Sequence, residues 1–333
     1  MTVFTALPDP ATPLSHESAA QAFADILDGA ASEEAIEQFL VTLAVRGETS
    51  IEIAEAARAM RARLIPVAAP PGAIDVCGTG GDGHHTLNVS TAVSLVVAAC
   101  GVPVAKHGNR AASSKSGAAD TLEALGLDLD RAAARAEQTL AELGIAFLFA
   151  QRHHPALARL GPIRRRIGRR TIFNLIGPLA NPARVTRQLI GIARPDYAAI
   201  YAEALTQLGT EAAAVIAGEE GLDELSTEGA SIAVNVGSAT LPTRIVPEDA
   251  GLPRHPLSAI RGGDPAENAR ALRLLLQGEK GAYRDAVLLN AAAALMVAGR
   301  AENLTEGADE AAEVLDNGLA NTLLDCWIAY SDG

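Results

Sequence analysis

Apolar residues at helical spacing open the chain and predict three short helices. Phe23 and Ile26 mark the buried face of the first helix, and an acidic turn after Ser32, a candidate N-cap, begins the second. Thr49 and Glu52 stand three residues apart and form a capping box at the start of the third. Because no strand-like run separates the three patterns, the opening predicts a small all-helical domain.

A proline-rich stretch at residues 67–72 follows, and beyond it strand and helix patterns alternate. We therefore place a helical domain at residues 1–68 and an α/β domain at residues 72–333. The alternation predicts an α/β fold in which helices flank a central, mostly parallel sheet.

The first β-α-β unit of the α/β domain brings two polar loops together. It comprises a strand at residues 74–77, a helix at 90–100 and a strand at 102–106. A right-handed crossover makes the two strands parallel, so both end at the sheet edge where ligands of open α/β sheets bind. We therefore expect the loop after Cys77 and the loop after Ala105 to be neighbours.

The later patterns continue the alternation. Ser113 or Ser114 is expected to cap a helix that ends near Gly126. The remaining expected elements are a helix at about 130–143, a strand at 145–149, a helix signal from residue 155, a strand at 188–192, a helix at 196–208, strands near 213–217, 231–236 and 243–246, and helices from about residue 265 onward.

Residues 78–83 read GTGGDG and connect the first predicted strand to its helix; we call them the glycine loop. Backbone N–H groups of such a loop and the following helix N-terminus form an anion site, and glycine lets a phosphate approach closely. Ser90 or Thr91 is expected to be the N-cap of that helix. Asp82 requires an explanation, because its carboxylate repels an anion unless a cation lies between them or it binds a ligand hydroxyl.

The glycine loop also satisfies the dinucleotide pattern G-x-G-x-x-G, through Gly78, Gly80 and Gly83. We disfavour that interpretation, because several more loop residues follow Gly83 before the helix. The acidic residue expected after the next strand is also replaced by Lys106 and His107. The sequence contains no G-x-x-x-x-G-K-[ST] either, so the loop is not a P-loop.

Composition indicates a globular protein of the reducing cytoplasm. The 333 residues are 49% hydrophobic, which is enough for a large core, and no run of 18 apolar residues predicts a membrane span. The N-terminus lacks the basic and apolar segments of a signal peptide. The three cysteines at positions 77, 100 and 326 are widely separated and lack metal-ligand spacing.

The charge of the chain disfavours nucleic acid as a partner. The formal net charge is −13 and aromatic residues make up only 3%, so both the basic surface and the stacking residues are scarce. Basic residues are nevertheless concentrated in one stretch. This stretch could form an anion subsite or a solvated helix face. Its members are Arg152, Arg159, Arg164, Arg165, Arg166, Arg169 and Arg170.

Several stretches together resemble the anthranilate phosphoribosyltransferase family, and they cover nearly the whole chain in order. They are RGET at 46–49, GTGGDG at 78–83, NVST at 88–91, KHGNR at 106–110, SSKSG at 113–117, FAQRHHP at 149–155, RTIFNLIGPL at 170–179, and Asp223-Glu224. The resemblance implies transfer of phosphoribose from phosphoribosyl pyrophosphate (PRPP) to anthranilate with Mg²⁺, in tryptophan biosynthesis. It also implies a homodimer formed through the helical domain, and packing of part of residues 155–185 on that domain.

The resemblance assigns three groups of site residues. Implied contacts to PRPP come from Gly78, Thr79, Gly80, Gly81, Asp82, Thr86, Asn88, Val89, Ser90, Thr91, Lys106, His107, Gly108, Asn109, Arg110, Ser113, Ser114 and Ala118. Implied contacts to anthranilate come from Gly78, His107, Asn109 and Arg164, and implied ligands of two Mg²⁺ ions from Ser90, Asp223 and Glu224. The chain departs from the usual family residues at Leu87, Ala111, Ala112 and Ala118.

Two other functions share parts of this pattern. A pyrimidine nucleoside phosphorylase would have a similar fold but would need no magnesium pair, which the adjacent Asp223 and Glu224 argue against. A catalytically silent relative that binds nucleic acid is disfavoured by the acidic charge. The adjacent histidine pairs at 84–85 and 153–154 are assigned no metal.

Overall fold

A computed structural model describes residues 4–111 and 115–332, in which helices surround one sheet. Its helices are α1 His16–Asp28, α2 Glu33–Arg46, α3 Ser50–Arg61, α4 Val89–Ala99, α5 Ala118–Ala124, α6 Leu129–Ala134, α7 Ala136–Glu142, α8 Ala150–His153, α9 Gly161–Ile167, α10 Ile172–Leu175, α11 Ala198–Gln207, α12 Pro265–Leu276, α13 Ala282–Ala298, α14 Leu304–Asp316 and α15 Leu319–Asp332. Its strands are β1 Ile74–Gly78, β2 Val104–Gly108, β3 Ile145–Phe149, β4 Arg187–Gly191, β5 Ala212–Gly218, β6 Ser231–Gly237 and β7 Arg244–Ile245.

The first three helices begin where the sequence predicts. The Ser32 hydroxyl accepts a hydrogen bond from the backbone N–H of Ala35, 3.2 Å away, at the start of α2. At α3, the N–H of Glu52 donates to the Thr49 hydroxyl and the N–H of Thr49 donates to the Glu52 carboxylate, at 3.3 and 2.8 Å. Each pair satisfies N–H groups that have no partner within the helix.

The sheet is mixed but mostly parallel, as expected. Its strand order is β3-β2-β1-β4-β5-β6-β7; the first five strands run parallel, and β6 and β7 are antiparallel to their neighbours. Strand β1 lies between β2 and β4, and the strand order reverses at this point: β2 and β3 follow on one side of β1, and β4 to β7 follow on the other. The carboxyl ends of β1 and β4 therefore border the switch point at which open α/β sheets bind ligands.

Two large apolar clusters and a smaller third, which includes Ala105 of β2 and Leu148 of β3, cover the faces of the sheet. Because side chains alternate along a strand, Val76 packs with α4 and α13, whereas Cys77 faces the other large cluster. The second cluster contains α1, α2, α3 and α11 together with buried residues of 160–180. Arg166 on α9 adds ion pairs to Glu33 and Glu37 on α2, at 2.8 and 3.2 Å.

Among the helices of residues 4–111 and 115–332, none has both the length and the apolar composition of a membrane span.

Three local predictions are wrong: the N-cap of α4, the N-cap of α5, and the continuity of the helix expected at 130–143. The N-cap of α4 is Asn88, one residue before the helix, and neither Ser90 nor Thr91; the carboxylate of Glu224 accepts from the Ser90 N–H instead. The N-cap of α5 is Gly117, whose N–H donates to Asp120 at 2.9 Å.

The residues expected to cap α5, Ser113 and Ser114, lie outside the described residues, as does Ala112. The helix expected at 130–143 is interrupted at Arg135, which separates α6 from α7. The N–H of Arg135 is shared between the carbonyls of Arg131 and Ala132, and its guanidinium donates to the Tyr330 carbonyl at 2.8 Å. A long-range contact therefore accompanies the break.

Candidate active site

Glycines at the ends of two neighbouring strands let the loop that carries Asp223 and Glu224 pack against the sheet edge. Gly78 and Gly191 are register partners at the ends of β1 and β4. A Cβ on Gly191 would lie 1.5 Å from the carbonyl oxygen of Asp223, and one on Gly78 would lie 2.4 Å from its Oδ2. Only glycine at both positions permits this close approach. The Asp223 carboxylate thereby accepts the N–H of Gly80, 2.7 Å away.

Three carboxylates converge beside the glycine loop. Burial, and then the charge of Asp82, raise the pKa of Asp223 to about 6. Burial and the charge of Asp223 likewise raise the pKa of Glu224. One oxygen of Glu224 accepts the Ser90 N–H at 3.2 Å, while its Oε2 is buried with no hydrogen-bond partner in the described chain. A buried, unpartnered carboxylate oxygen is unfavourable until a cation or donor reaches it.

These carboxylates suit a hydrated divalent cation. Within the described residues, no group of three or more His, Cys, Asp and Glu side chains could hold a metal by itself. Magnesium, however, usually combines one or two carboxylates with phosphate oxygens and water. Asp223, Glu224 and the Ser90 hydroxyl thus fit an ion that a phosphorylated ligand completes.

Lys106 places a positive charge next to Ser90 and the carboxylates beside the glycine loop. Lys106 is buried in the middle of β2, and its ammonium group donates to the carbonyl of Val76 at 2.8 Å and to the Ser90 hydroxyl at 3.3 Å. Burial lowers the pKa of Lys106, while the nearby carboxylates of Asp75 and Glu224 oppose that change. Lys106 therefore links β1, β2 and the first turn of α4.

A buried carboxylate aligns the next residue of β2. Asp75 is completely buried; its Oδ1 accepts the backbone N–H of His107 at 3.1 Å, and its Oδ2 accepts the side-chain amide of Asn181 at 2.8 Å. The same Asn181 nitrogen donates to the carbonyl of Ala105. Asp75 thus joins β1 and β2 to the turn at residues 178–181.

His107 is a neutral polar group in this pocket. Its Nδ1 lies 3.1 Å from the carbonyl of Gly177, which can only accept, so Nδ1 carries the proton. Its Nε2 lies 3.2 Å from Nε2 of His154. Burial, followed by the charge of His154, lowers the pKa of His107 to about 3. His107 can therefore form a polar wall but carries no charge at neutral pH.

The arginine cluster divides among several functions. Arg166 binds α2, and Arg159 and Arg152 bind the Asp28 carbonyl and the Asp130 carboxylate. Arg164 is half-buried on α9, burial lowers its pKa, and it has no ion-pair partner in the described chain. Arg165, its neighbour, is exposed. Of the three arginines at 164–166, Arg164 alone combines partial burial with the lack of an ion-pair partner in the described chain.

Arg170 is the site residue that the sequence analysis missed. Its guanidinium donates to the carbonyls of Thr79 and Gly80 in the glycine loop. In the sequence, Arg170 is one of seven arginines in the basic stretch, and little in its local sequence distinguishes it from the other six. The available signal was its position immediately before Thr171, whose backbone N–H donates to the side-chain oxygen of Asn174 at 3.0 Å at the start of α10.

Other predicted site residues lie at the same edge but have internal partners. Arg110 forms ion pairs with Asp120 and Glu123 on α5, at 2.9 and 2.5 Å. The Asn88 side-chain oxygen accepts from Thr121 and from Asn268. These contacts join the segments that carry Arg110 and Asn88 to α5 and α12.

The remaining predicted residues have less distinctive surroundings. Thr86 forms an isolated antiparallel bridge with Arg261, and Asn109 accepts the N–H of Arg110 at 2.8 Å. Val89 and Thr91 are buried in α4. Gly108 ends β2, Ala118 begins α5, and Gly81 and Gly83 have positive φ angles of 75° and 81°. Ser113 and Ser114 lie outside the described residues.

Comparisons with known proteins cover both parts of the chain. The sequence model of the glycosyl transferase family helical bundle domain matches residues 10–64, and that of the family's a/b domain matches residues 70–321. Anthranilate phosphoribosyltransferase from Novosphingobium aromaticivorans is 68% identical over 326 residues, which is 98% of this chain and 99% of the relative.

Solved structures agree with this similarity. The crystal structure of anthranilate phosphoribosyltransferase from Thermus thermophilus has a TM-score of 0.91 and 44% identity, with 97% of each chain covered. The Saccharomyces cerevisiae enzyme, solved in complex with PRPP and Mg, has a TM-score of 0.86 and 28% identity, with coverage of 96% of this chain and 94% of the yeast chain. Neither a nucleoside phosphorylase nor a nucleic-acid-binding relative is favoured by these similarities.

Proposed function

We propose that this chain, which belongs to the anthranilate phosphoribosyltransferase family, transfers phosphoribose from PRPP to the amine of anthranilate. The products are N-(5-phosphoribosyl)anthranilate and pyrophosphate, and the reaction is the second step of tryptophan biosynthesis from chorismate. The observation that carries the proposal is the convergence of Asp223 and Glu224 on the glycine loop and the α4 N-terminus. It provides an anion site next to a cation site at one sheet edge.

The reaction requires charge stabilisation more than a strong base. As the bond from ribose C1 to pyrophosphate breaks, negative charge develops on the leaving group and positive charge on the ribose. The Gly81 N–H, which has no hydrogen-bond partner in the described chain, and the positive end of the α4 dipole stabilise the leaving group. Bound Mg²⁺ neutralises pyrophosphate oxygens. Lys106 adds a fixed positive charge, and its contact with Ser90 orients that hydroxyl.

The metal ligands in this proposal are Ser90, Asp223 and Glu224, serving two Mg²⁺ ions. The yeast relative was solved with Mg, which supports the choice of ion. The partnerless Oε2 of Glu224 and the crowding of Asp223 with Asp82 support the positions. Both features are relieved when a divalent cation binds.

Anthranilate occupies the side of the pocket near α9 in this proposal. Arg164 binds its carboxylate, because a guanidinium can bind a planar carboxylate through two hydrogen bonds. Neutral His107 and the Asn109 amide flank the ring, and Gly78 contributes its backbone at the end of β1. The amine is then held toward ribose C1, so that positioning replaces proton transfer as the main contribution.

PRPP is bound in this proposal by residues between the end of β1 and the start of α5, four of which also serve anthranilate or Mg²⁺. The PRPP-binding residues are Gly78, Thr79, Gly80, Gly81, Asp82, Thr86, Asn88, Val89, Ser90, Thr91, Lys106, His107, Gly108, Asn109, Arg110, Ser113, Ser114 and Ala118. Asp82 holds a ribose hydroxyl or faces the cation, which removes its repulsion toward the diphosphate. We also propose that the protein is a cytoplasmic homodimer formed through its N-terminal helices.

Loss of anthranilate fluorescence tests the activity directly. When purified protein is mixed with anthranilate, PRPP and Mg²⁺, the anthranilate fluorescence should decrease as anthranilate is consumed. Omission of either PRPP or Mg²⁺ should prevent this decrease. A parallel reaction with a pyrimidine nucleoside and phosphate measures the alternative. Nucleoside cleavage without anthranilate consumption would refute the proposed reaction.

A further inference from the structure

Arg170 makes contacts with the glycine loop that the reaction scheme above does not use. One guanidinium nitrogen donates to the Thr79 carbonyl at 3.1 Å, and another donates to the Gly80 carbonyl. An arginine holds two acceptors in the fixed plane of its guanidinium, whereas the donors of a lysine ammonium are not held in a plane. Arg170 reaches the loop from the chain before α10, which packs in the second apolar cluster. It therefore connects that cluster to the glycine loop.

These contacts fix the direction of the loop amides. In a trans peptide the C=O of one residue and the N–H of the next point in opposite directions. With the Thr79 carbonyl on Arg170, the Gly80 N–H points away and meets Asp223 at 2.7 Å. With the Gly80 carbonyl also on Arg170, the Gly81 N–H points away from the guanidinium as well. In the described chain this N–H has no hydrogen-bond partner.

The glycines at 80 and 81 make this arrangement possible. Their φ angles are 64° and 75°, in the left-handed region that disfavours other residues. A Cβ on Gly81 would lie 1.7 Å from Nη1 of Arg170, so the guanidinium occupies the space of an absent side chain. Successive N–H groups in such a turn form a concave anion site.

The guanidinium also reduces the repulsion between the Asp82 carboxylate and an anion bound at the glycine loop. It attracts both Asp82 and Asp223, and its charge partly cancels theirs next to the loop. A pyrophosphate approaching the Gly81 N–H then meets less repulsion.

We propose that Arg170 is a positioning residue for PRPP, which holds the Thr79–Gly80 turn so that the Gly81 N–H faces the pyrophosphate group. The inference rests on the proposed function, because it assigns PRPP to the glycine loop. Arg170 acts on the diphosphate substrate through the loop, and anthranilate is held by Arg164 on a different element.

Binding of PRPP without turnover tests this proposal. Calorimetric titration with PRPP and Mg²⁺, in the absence of anthranilate, should show R170A weakened on the order of tenfold, as for a lost charge-assisted contact. R170K, which cannot bind both carbonyls in the same geometry, should lie between R170A and wild type. In steady-state assays the KM for PRPP should rise while the KM for anthranilate changes by less than about twofold.

R169A is the matched control, since Arg169 is the neighbouring arginine, is exposed like Arg170, and makes no hydrogen bond in the described chain. It should bind PRPP like wild type. A folded R170A or R170K with wild-type PRPP affinity would overturn the positioning role, as would an equal rise in both KM values. If R170A does not fold, R170K alone decides between these outcomes. Failure of the wild type to bind PRPP would instead refute the proposed function.

Discussion

At the scale of single residues, Arg164 is the sharpest assignment that can be tested. It is half-buried without an ion-pair partner in the described chain, whereas Arg166 binds Glu33 and Glu37. Arg164→Ala should remove a charge-assisted contact of about 1.5–3 kcal/mol, and so raise the KM for anthranilate roughly tenfold to more than a hundredfold. The KM for PRPP should stay nearly constant. Arg165→Ala is the control, and an equal defect there would show that the wrong arginine was chosen.

The adjacent carboxylates give a second prediction at this scale. Asp223→Asn with Glu224→Gln removes both charges that face the cation site while keeping the side-chain shapes. Turnover should fall steeply, and the Mg²⁺ concentration for half-maximal rate should rise, because amides bind Mg²⁺ more weakly than carboxylates. Anthranilate fluorescence followed across a Mg²⁺ series measures both effects. An unchanged Mg²⁺ dependence in the double variant would contradict the assignment.

At the scale of elements, the Asp75 network connects two strands and a turn. Asp75→Asn replaces one acceptor oxygen by a donor, which must then face either the His107 N–H or the Asn181 amide. The buried mismatch should lower the free energy of unfolding by about 1–3 kcal/mol. Chemical denaturation measures the change. Asp196→Asn, whose partner Arg194 lies on the surface, should change stability by less than about 1 kcal/mol. Equal stabilities of the two variants would contradict the role of this network.

At the scale of the whole molecule, the N-terminal helices leave an apolar residue uncovered. Val45 on α2 is 67% exposed, in the domain through which the resemblance implies a homodimer. Light scattering at micromolar concentration should give the mass of a dimer, and Val45→Arg should shift it toward the monomer, because a charge cannot be buried there without a partner. Leu319→Arg, at an exposed apolar position of the C-terminal helix, should leave the mass unchanged. A monomeric wild type would refute the dimer.

The sequence by itself determined the features that depend on neighbours in the chain. The caps at Ser32 and Thr49 involve residues only three positions apart, so they could be read directly. The strand preceding the glycine loop and the alternation after it predicted a mostly parallel sheet, and the motifs identified the family. The sequence also predicted that the two loops of the first β-α-β unit would meet, since crossover handedness follows from backbone sterics.

Only the tertiary structure decided which side chains reach the site. The Ser90 N–H is satisfied by Glu224, 134 residues away in sequence, so a local rule for helix caps could not predict the start of α4. Arg170 and Arg110 are both cations near site motifs, yet one binds the glycine loop and the other binds α5. The physical reason is that hydrogen bonds and ion pairs depend on distances of a few ångströms, which folding sets between segments remote in the chain.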